Sequence, residues 1–234
     1  MRCLNRLPLL LLVPLVAVHV AAVDTTVGFT AVPLTEAQLP VQKPYDVPLE
    51  QRYELVDGVR RMWVYCTDKP HNPTSQTKPR TEVRVMHMTY SVVITTDYGV
   101  SVLINRTIEQ QNYSSGVWQF EGYGYVPAGT TGVSVMQVFG AAPPHASTLM
   151  LHVYGGRLMY YRDETRVVDA DIYDRWFRLN VVHDVDAAEL AVFVDGDERL
   201  RVGGRGGDAH YFKFGVYTQT GPSHRMESRW RDVK

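Results

Sequence analysis

Residues 211–219 read Tyr-Phe-Lys-Phe-Gly-Val-Tyr-Thr-Gln, an alternation of apolar and hydrogen-bonding side chains that is typical of a β-strand. Successive side chains of a strand point to opposite faces of its sheet. The even positions place apolar side chains on one face: Phe212, Phe214 and Val216. The odd positions place polar side chains on the other: Tyr211, Lys213, Tyr217 and Gln219. The stretch therefore predicts a strand with an apolar back and a hydrogen-bonding front.

Two further segments show a related alternation. Residues 80–85 read Arg-Thr-Glu-Val-Arg-Val, and their smaller side chains suit a core. The other face of that strand then carries the charged side chains: Arg80, Glu82 and Arg84. Residues 133–140 are expected to place Gln137 and Phe139 on one face with Val133 and Val135, and Ser134, Met136 and Val138 on the other.

If the three fronts line one sheet, their polar side chains converge on an anion site. Arginine forks match carboxylates in a bidentate geometry, amides and phenols add directional hydrogen bonds, and Glu82 holds the guanidinium groups in place. The predicted ligand-binding residues are Arg80, Glu82, Arg84, Gln137, Lys213, Tyr217 and Gln219. An exposed antiparallel face that merely carries alternating charges is a common alternative, and periodicity alone leaves both open.

The rest of the chain also predicts strands. From residue 63 onward the apolar runs are short, rich in Val, Tyr, Phe and Trp, and bounded by Gly, Pro or Asp. Gly155-Gly156 and Asp195-Gly196 each separate two such runs and predict hairpins. Thr35 with Gln38 forms a capping-box pattern for one short helix. We expect one all-β domain over residues 23–234, a sandwich or jelly roll.

The charge of the chain bears on its binding partners, and the N-terminal residues bear on the location of the protein in or outside the cell. The chain has 24 Lys+Arg and 25 Asp+Glu, a formal charge of −1, which does not favour nucleic acid as a partner. Residues 1–22 combine two arginines, an apolar run and a small-residue cleavage site, and predict a signal peptide. No run is long enough for a membrane span. We expect export to the cell exterior, cell wall or vacuole, with sequons at Asn105 and Asn112.

The histidines and the glycine-rich stretch are the other patterns in the sequence that could form a site. The histidines form neither His-x-His nor His-Glu-x-x-His, so we expect no metal, and no phosphate loop or dinucleotide fingerprint predicts a cofactor. The glycine-rich stretch at residues 203–207 leads into a strand, and we expect it to form a mobile loop at the edge of the groove. The oligomeric state stays open.

The strand motifs resemble, in order, three signature strands of the alginate-lyase-like polysaccharide lyases: residues 80–84, residues 134–139 around Gln137, and residues 211–219. The sequence also resembles the plant citrate-binding proteins, exported members of that superfamily, at residues 68–73 and 115–122. The resemblance covers about residues 29–232. It implies an all-β jelly-roll sandwich of two curved antiparallel sheets, with a ligand groove on the concave sheet.

Residues 86–111, approximately, interrupt this resemblance, because family members pass almost directly between the flanking motifs. Residues 90–95 and 100–104 flank Asp97-Tyr98-Gly99 and predict an additional hairpin. A translated segment that a normal transcript lacks is the other interpretation, and both stay open.

The resemblance also implies two functions. In the lyases, an arginine, a glutamine and a histidine neutralise a uronate carboxylate, and a tyrosine removes the neighbouring proton for β-elimination. The corresponding catalytic residues here are Arg80 or Arg84, Gln137 and Tyr217, but Phe139 stands at the histidine position. Because losing one such donor costs about 10²- to 10³-fold in rate, we expect binding to survive better than catalysis.

The leading hypothesis is an exported binder of citrate or of a uronate-containing glycan in a cationic groove. The alternative is a polyuronate lyase with Tyr217 as its base, in which His71 or His210 replaces the missing donor. Whether the chain is an enzyme stays open at this point.

Overall fold

The structure is a computed structural model that describes residues 24–89 and 109–234. The predicted signal peptide, the predicted hairpin within residues 90–104 and the sequon at Asn105 lie outside these residues.

The described part of the chain is almost entirely β-structure. Two 3₁₀ turns, Glu36–Gln38 and Leu49–Gln51, accompany the strands. The strands are β1 (Val41–Gln42), β2 (Tyr53–Val56), β3 (Val59–Tyr65), β4 (Arg80–Arg84), β5 (His87–Thr89), β6 (Glu109–Gln111), β7 (Val117–Tyr125), β8 (Val133–Phe139), β9 (Ser147–Tyr154), β10 (Arg157–Tyr160), β11 (Val167–Asp169), β12 (Trp176–Asp184), β13 (Glu189–Val194), β14 (Asp197–Gly203), β15 (Tyr211–Thr218) and β16 (Arg225–Arg231). No helix of residues 24–89 and 109–234 has the length and apolarity to cross a membrane.

Two antiparallel sheets of seven strands pack face to face. The groove sheet has the order β1-β4-β15-β8-β9-β10-β11, and the back sheet has the order β14-β13-β12-β7-β16-β3-β2. Neighbouring strands are often distant in sequence, as β15 is from both β4 and β8. Such crossovers between two layers define a jelly roll, so the predicted fold class is confirmed.

Both predicted hairpins are confirmed. Strands β9 and β10 pair across Gly155-Gly156, and β13 and β14 pair across Asp195-Gly196. Each turn needs residues that tolerate positive φ, and Gly155, Gly156, Asp195 and Gly196 all adopt it. At the short helical turn, the predicted capping box is present, and the Gln38 side chain accepts the Thr35 backbone N–H at 2.9 Å.

The core lies between the sheets, and the apolar face of β15 packs against it. The ring of Phe214 lies 5.6 Å from that of Phe120 and 5.5 Å from that of Trp230, both on the back sheet. Phe214 and Trp230 are fully buried. Burying such side chains contributes about 1.5 to 3 kcal/mol each, so the apolar back of β15 is fixed while its front is left to carry polar groups.

Strand β8 departs from the simple alternation that the sequence predicts. Its register with β9 shifts between Ser134 and Met136, which is a β-bulge. Ser134 lies opposite Tyr217 and His152, so it shares the front face, whereas Val133 and Val135 belong to the core. The prediction that Val133 and Val135 share a face with Gln137 is therefore wrong, because one extra residue reverses the alternation.

The segment at about residues 86–111, which interrupts the family resemblance, begins and ends with two paired strands. Strands β5 and β6 form a separate two-stranded antiparallel sheet, with His87 opposite Gln111 and Thr89 opposite Glu109. The two ends of the segment therefore lie side by side.

Candidate functional site

A buried carboxylate joins the fronts of three consecutive strands of the groove sheet, β4, β15 and β8. Glu82 of β4 accepts hydrogen bonds from Lys213 Nζ at 2.7 Å, from Gln137 Nε2 at 2.6 Å and from Arg80 Nη1 at 3.3 Å. Ser147 at the start of β9 donates to Gln137 Oε1 at 2.9 Å and so fixes the amide. We call these five side chains the Glu82 cluster.

The alignment of the strands produces this arrangement. In the register of β15, Lys213 lies opposite Arg84 and Gln137, while Tyr217 lies opposite Arg80. Directly opposed residues of an antiparallel pair share a face. The three predicted strands are therefore neighbours with their polar fronts on one side, as the sequence indicates.

Burial strengthens the electrostatics of the Glu82 cluster. Glu82 is fully buried, Lys213 and Gln137 are each 2% exposed, and Arg80 is 7% exposed. Lys213 and Arg80 share the one carboxylate of Glu82, which leaves an excess of one positive charge. Burial lowers the pKa of Lys213, Glu82 acts in the opposite direction, and the nearby guanidinium groups lower it further. The cluster thus lacks a second negative charge.

Two guanidinium groups cover tyrosine rings beside the cluster. Arg80 Cζ lies 3.8 Å from the centre of the Tyr217 ring, and Arg84 Cζ lies 4.0 Å from that of Tyr211. Phe139 stacks on Tyr211 with a centroid distance of 4.9 Å. A cation over an aromatic face is electrostatically favourable, so these contacts fix the orientation of both arginines.

A cavity of about 460 Å³ opens above the Glu82 cluster on the front of the groove sheet, and we call it the groove. Among the predicted site residues, four line it: Arg80, Gln137, Lys213 and Tyr217. Phe139, where the resemblance to the lyases leads us to expect a histidine, also lines it. Glu82 lies beneath the lining, where it orients the cations.

The other two predicted residues lie outside the lining of the groove. Arg84 donates from Nη2 to Asn112 Oδ1 at 2.8 Å, beside β15. Gln219 follows the end of β15 and donates back to the carbonyl oxygen of Tyr217 at 3.2 Å. Strand alternation predicts the sheet face on which a side chain lies. Whether that side chain also reaches the groove depends on contacts with residues that are distant in sequence.

The two histidines that the lyase hypothesis invokes lie in different places. His71 lines the groove, where burial, then the charges of Arg80 and Lys213, lower its pKa. His210 does not line it: its ring lies 4.7 Å from that of His183 and 5.6 Å from that of Tyr113. His210 precedes β15 and points to the opposite face from Tyr211, so it cannot replace a donor in the groove.

Ser147 and Arg205 are among the polar groups of the groove that sequence reasoning missed. Ser147 lies opposite Phe139 and could be found only from the pairing of β8 with β9. Arg205 lies in the glycine-rich loop that the sequence places at the edge of the groove, and its side chain lines the cavity. The loop prediction is confirmed in position, but the role of its single arginine was overlooked.

The chemistry available here is recognition of anions by charged donors. Guanidinium, ammonium and amide groups converge above a fixed carboxylate, and charge-assisted hydrogen bonds of this kind contribute about 1.5 to 3 kcal/mol each. Within residues 24–89 and 109–234, no group of three or more His, Cys, Asp or Glu side chains is arranged to hold a metal ion.

Comparisons with solved structures give the same fold. Alginate lyase AlgAT5 from polysaccharide lyase family 7 superposes with a TM-score of 0.61 at 16% identity, over 84% of this chain and 93% of that one. The family 7 alginate lyase A1-II′ in complex with substrate (GGMG) gives 0.58 at 15% identity, over 84% and 90% of the two chains. The alginate lyase from Corynebacterium sp. gives 0.56 at 15%, over 78% and 79%.

Comparisons of sequence extend this from fold to family. The citrate-binding protein of Hevea brasiliensis is 46% identical over 217 residues, which cover 92% of this chain and 80% of the relative. A family model described as alginate lyase matches residues 33–234. Because that match spans both sheets and every strand of the groove sheet, the chain belongs to the alginate lyase 2 family.

Proposed function

We propose that this protein binds a carboxylate ligand in the groove. The observation that carries the proposal is the Glu82 cluster, in which Lys213 and Arg80 share one buried carboxylate and retain an excess positive charge. Arg80 Nε has no hydrogen-bond partner among the described residues. A ligand carboxylate above the cluster supplies the missing charge and further acceptors.

Citrate or a uronate unit of a glycan is the proposed ligand. The name of the Hevea brasiliensis relative supports citrate, and the substrate complex of the family 7 alginate lyase supports a uronate chain. Both present carboxylates to the same donors. Two or three charge-assisted contacts, after the cost of association, give an expected Kd between millimolar and micromolar.

The lyase alternative is disfavoured at Phe139. Its ring lines the groove and stacks on Tyr211, so no hydrogen-bond donor stands at the position where the lyases have a histidine. The charge that develops during proton abstraction needs preorganised donors, and losing one costs about 10²- to 10³-fold in rate. Binding needs them only in the ground state and tolerates the substitution better.

Calorimetric titration with citrate tests the proposal through Lys213→Met. This substitution keeps much of the side-chain volume and removes the charge, so we expect citrate affinity to fall about 10- to 100-fold. Lys78→Met is the matched control, because Lys78 is exposed and its Nζ contacts only Thr220 Oγ1 at 3.4 Å among the described hydrogen bonds. Equal citrate affinity in the wild type and both variants contradicts the proposed site.

An absorbance assay with polyuronate tests the catalytic alternative. We expect no steady release of unsaturated uronate from the wild type, and detectable release from Phe139→His if the remaining groups are placed for elimination. Steady release from the wild type that disappears in Tyr217→Phe overturns the binding proposal in favour of a lyase.

We also propose that the chain is exported, on the strength of the signal-like residues 1–22. Asn112 of the second sequon is exposed, which suits glycosylation along that route. Sequencing the mature N-terminus checks this: we expect it near Val23, and a mature chain that retains residues 1–22 contradicts export by this signal.

A further inference from the structure

Part of the lining of the groove is apolar. It comes from β8, from β9 and from the connection between these two strands. We call these side chains the apolar wall: Phe139, Pro144, Ala146 and Met150. The cations of the Glu82 cluster lie on β4 and β15 instead, so the groove combines a charged part with an apolar part.

The apolar wall borders the Glu82 cluster. Lys213 lies opposite Gln137 on β8, and Gln137 lies opposite Met150 on β9. In the same pairing with β15, Phe139 lies opposite Tyr211, two residues beyond Gln137 on the same face of β8. This separation is about 7 Å along the strand at about 3.4 Å per residue. A ligand whose carboxylate meets the cluster therefore has apolar side chains beside the rest of it.

Polar side chains next to the apolar wall already donate to acceptors of the protein. Ser147 Oγ donates to Gln137 Oε1 at 2.9 Å, and Tyr161 Oη donates to the Ser147 carbonyl oxygen at 2.6 Å. The Arg205 guanidinium packs on the Tyr161 ring, with Cζ 4.2 Å from its centre, and donates from Nη2 to Tyr160 Oη at 2.9 Å. Because a hydroxyl group without a partner is costly to remove from water, this wall suits a ring that carries few hydroxyl groups.

The apolar wall is held in place by the protein itself. The Phe139 ring stacks on Tyr211 at a centroid distance of 4.9 Å and an interplanar angle of 25°. Gly140, which follows Phe139, has a φ of +112°, and a Cβ there would overlap the Ala209 carbonyl oxygen. Only glycine permits this close approach, so the backbone beside the ring has a defined position. A wall that is formed before the ligand arrives lowers the entropic cost of binding.

We propose that the groove binds an aromatic monocarboxylate, with its carboxylate at the Glu82 cluster and its planar ring against Phe139 and Met150. This inference rests on the proposed carboxylate-binding function and adds a ligand class to citrate and uronates. One carboxylate matches the one excess positive charge of the cluster. Contacts of an aromatic ring with another ring or with a thioether sulfur are favourable beyond the burial of apolar area. The cavity of about 460 Å³ has the size of a small-ligand site, about 300 to 1,000 Å³.

Calorimetric titrations with cinnamate, galacturonate and citrate test the inference. All three probes carry a carboxylate, but only cinnamate carries a planar aromatic ring. We expect the wild type to bind cinnamate more tightly than galacturonate. Phe139→Ala should weaken cinnamate binding about 10-fold more than it weakens citrate or galacturonate binding, because the contact between the rings is lost. Phe139→Tyr, which keeps the ring, should retain most of the preference.

Two further variants separate the carboxylate contact from the ring contact. Lys213→Met should weaken cinnamate and citrate binding alike, and citrate should displace cinnamate, because both carboxylates meet the Glu82 cluster. Phe29→Ala is the matched control, since Phe29 is exposed and lies outside the lining of the groove. We expect it to leave all three affinities unchanged. Thermal unfolding of each variant checks that the fold is retained.

Several results would refute the aromatic ligand class while the proposed function stands. They are citrate binding without cinnamate binding, tighter binding of galacturonate than of cinnamate, simultaneous binding of citrate and cinnamate, and an equal effect of Phe139→Ala on all three affinities. If no probe binds the wild type, the proposed function and the aromatic ligand class both fail.

Discussion

Glu82 determines the positions of the positively charged side chains Arg80 and Lys213 in the groove. It is fully buried, yet three donors satisfy its oxygens: Lys213 on the neighbouring strand β15, Gln137 on β8 beyond it, and Arg80 on its own strand. A buried charge is tolerated only when paired and hydrogen-bonded, and here each partner depends on the others. Glu82 therefore links the stability of the groove sheet to the charge of the site.

We expect Glu82→Gln to lower the free energy of unfolding by about 3 to 5 kcal/mol, because it leaves Arg80 and Lys213 buried beside each other without their counter-charge. Urea denaturation monitored by fluorescence measures the change. Glu36→Gln is the comparison: Glu36 pairs with Arg60 but its side chain is 65% exposed, so we expect a loss of at most about 1 kcal/mol. Similar losses in the two variants contradict the central role of Glu82.

At the scale of the strand, β15 combines regular alternation with one irregular point. Its register with β8 shifts between Phe214 and Tyr217, and Gly215 adopts a φ of +135° opposite Glu82. This conformation is rare for residues with a side chain. Gly215 thus lets β15 pass close to β4 at the level of the carboxylate while Lys213 and Tyr217 keep their positions on the front.

Gly215→Ala should destabilise the fold by at least about 2 kcal/mol, since the new Cβ meets the Thr81 carbonyl oxygen and Glu82 Cα in a strained backbone. Because the clash is at Glu82, we also expect weaker citrate binding. Thermal unfolding and calorimetry measure the two effects. Gly203→Ala is the control, because a Cβ there meets no atom within 4 Å. An unchanged melting temperature for Gly215→Ala would show that β15 adapts without cost.

At the scale of the whole molecule, buried histidines couple the stability of the sandwich to pH. Burial lowers the pKa of His152, on the groove sheet, and of His183, on the back sheet, to about 4 in each case. Both ring nitrogens of His152 lack a hydrogen-bond partner among the described residues. The unfolded chain takes up a proton near pH 6.5, whereas the folded chain resists until about pH 4. Stability from this source is complete above pH 6.5 and is lost as the pH falls toward 4.

His152→Leu should remove the part of the pH dependence of stability that arises from the lowered pKa of His152. Between pH 7.5 and pH 4 the wild type should lose about 3 kcal/mol more unfolding free energy than the variant, from a pKa difference of about 2.5 units. Urea denaturation at several pH values gives both curves. Parallel curves over this interval would refute the assignment to His152.

The predictability of the site differs from residue to residue. Alternation in residues 80–85 and 211–219 is enough to place Arg80, Glu82, Lys213 and Tyr217 on polar fronts, because both segments keep the period of two at these positions. Alternation fails in β8, where the bulge moves Ser134 to the front and Val133 to the core. Bulges arise from pairing between strands and leave little trace in the sequence of one of them.

The sequence by itself determines the fold class and the composition of each strand face, since short-range patterns fix turns, alternation and the choice of buried side chains. Only the tertiary structure decides which polar side chains meet. It brings Glu82 under Lys213 and Gln137, directs Gln219 away, and adds Arg205 from the other sheet. The physical reason is that these contacts join segments far apart in the chain, and their geometry depends on strand register and packing, which no local pattern encodes.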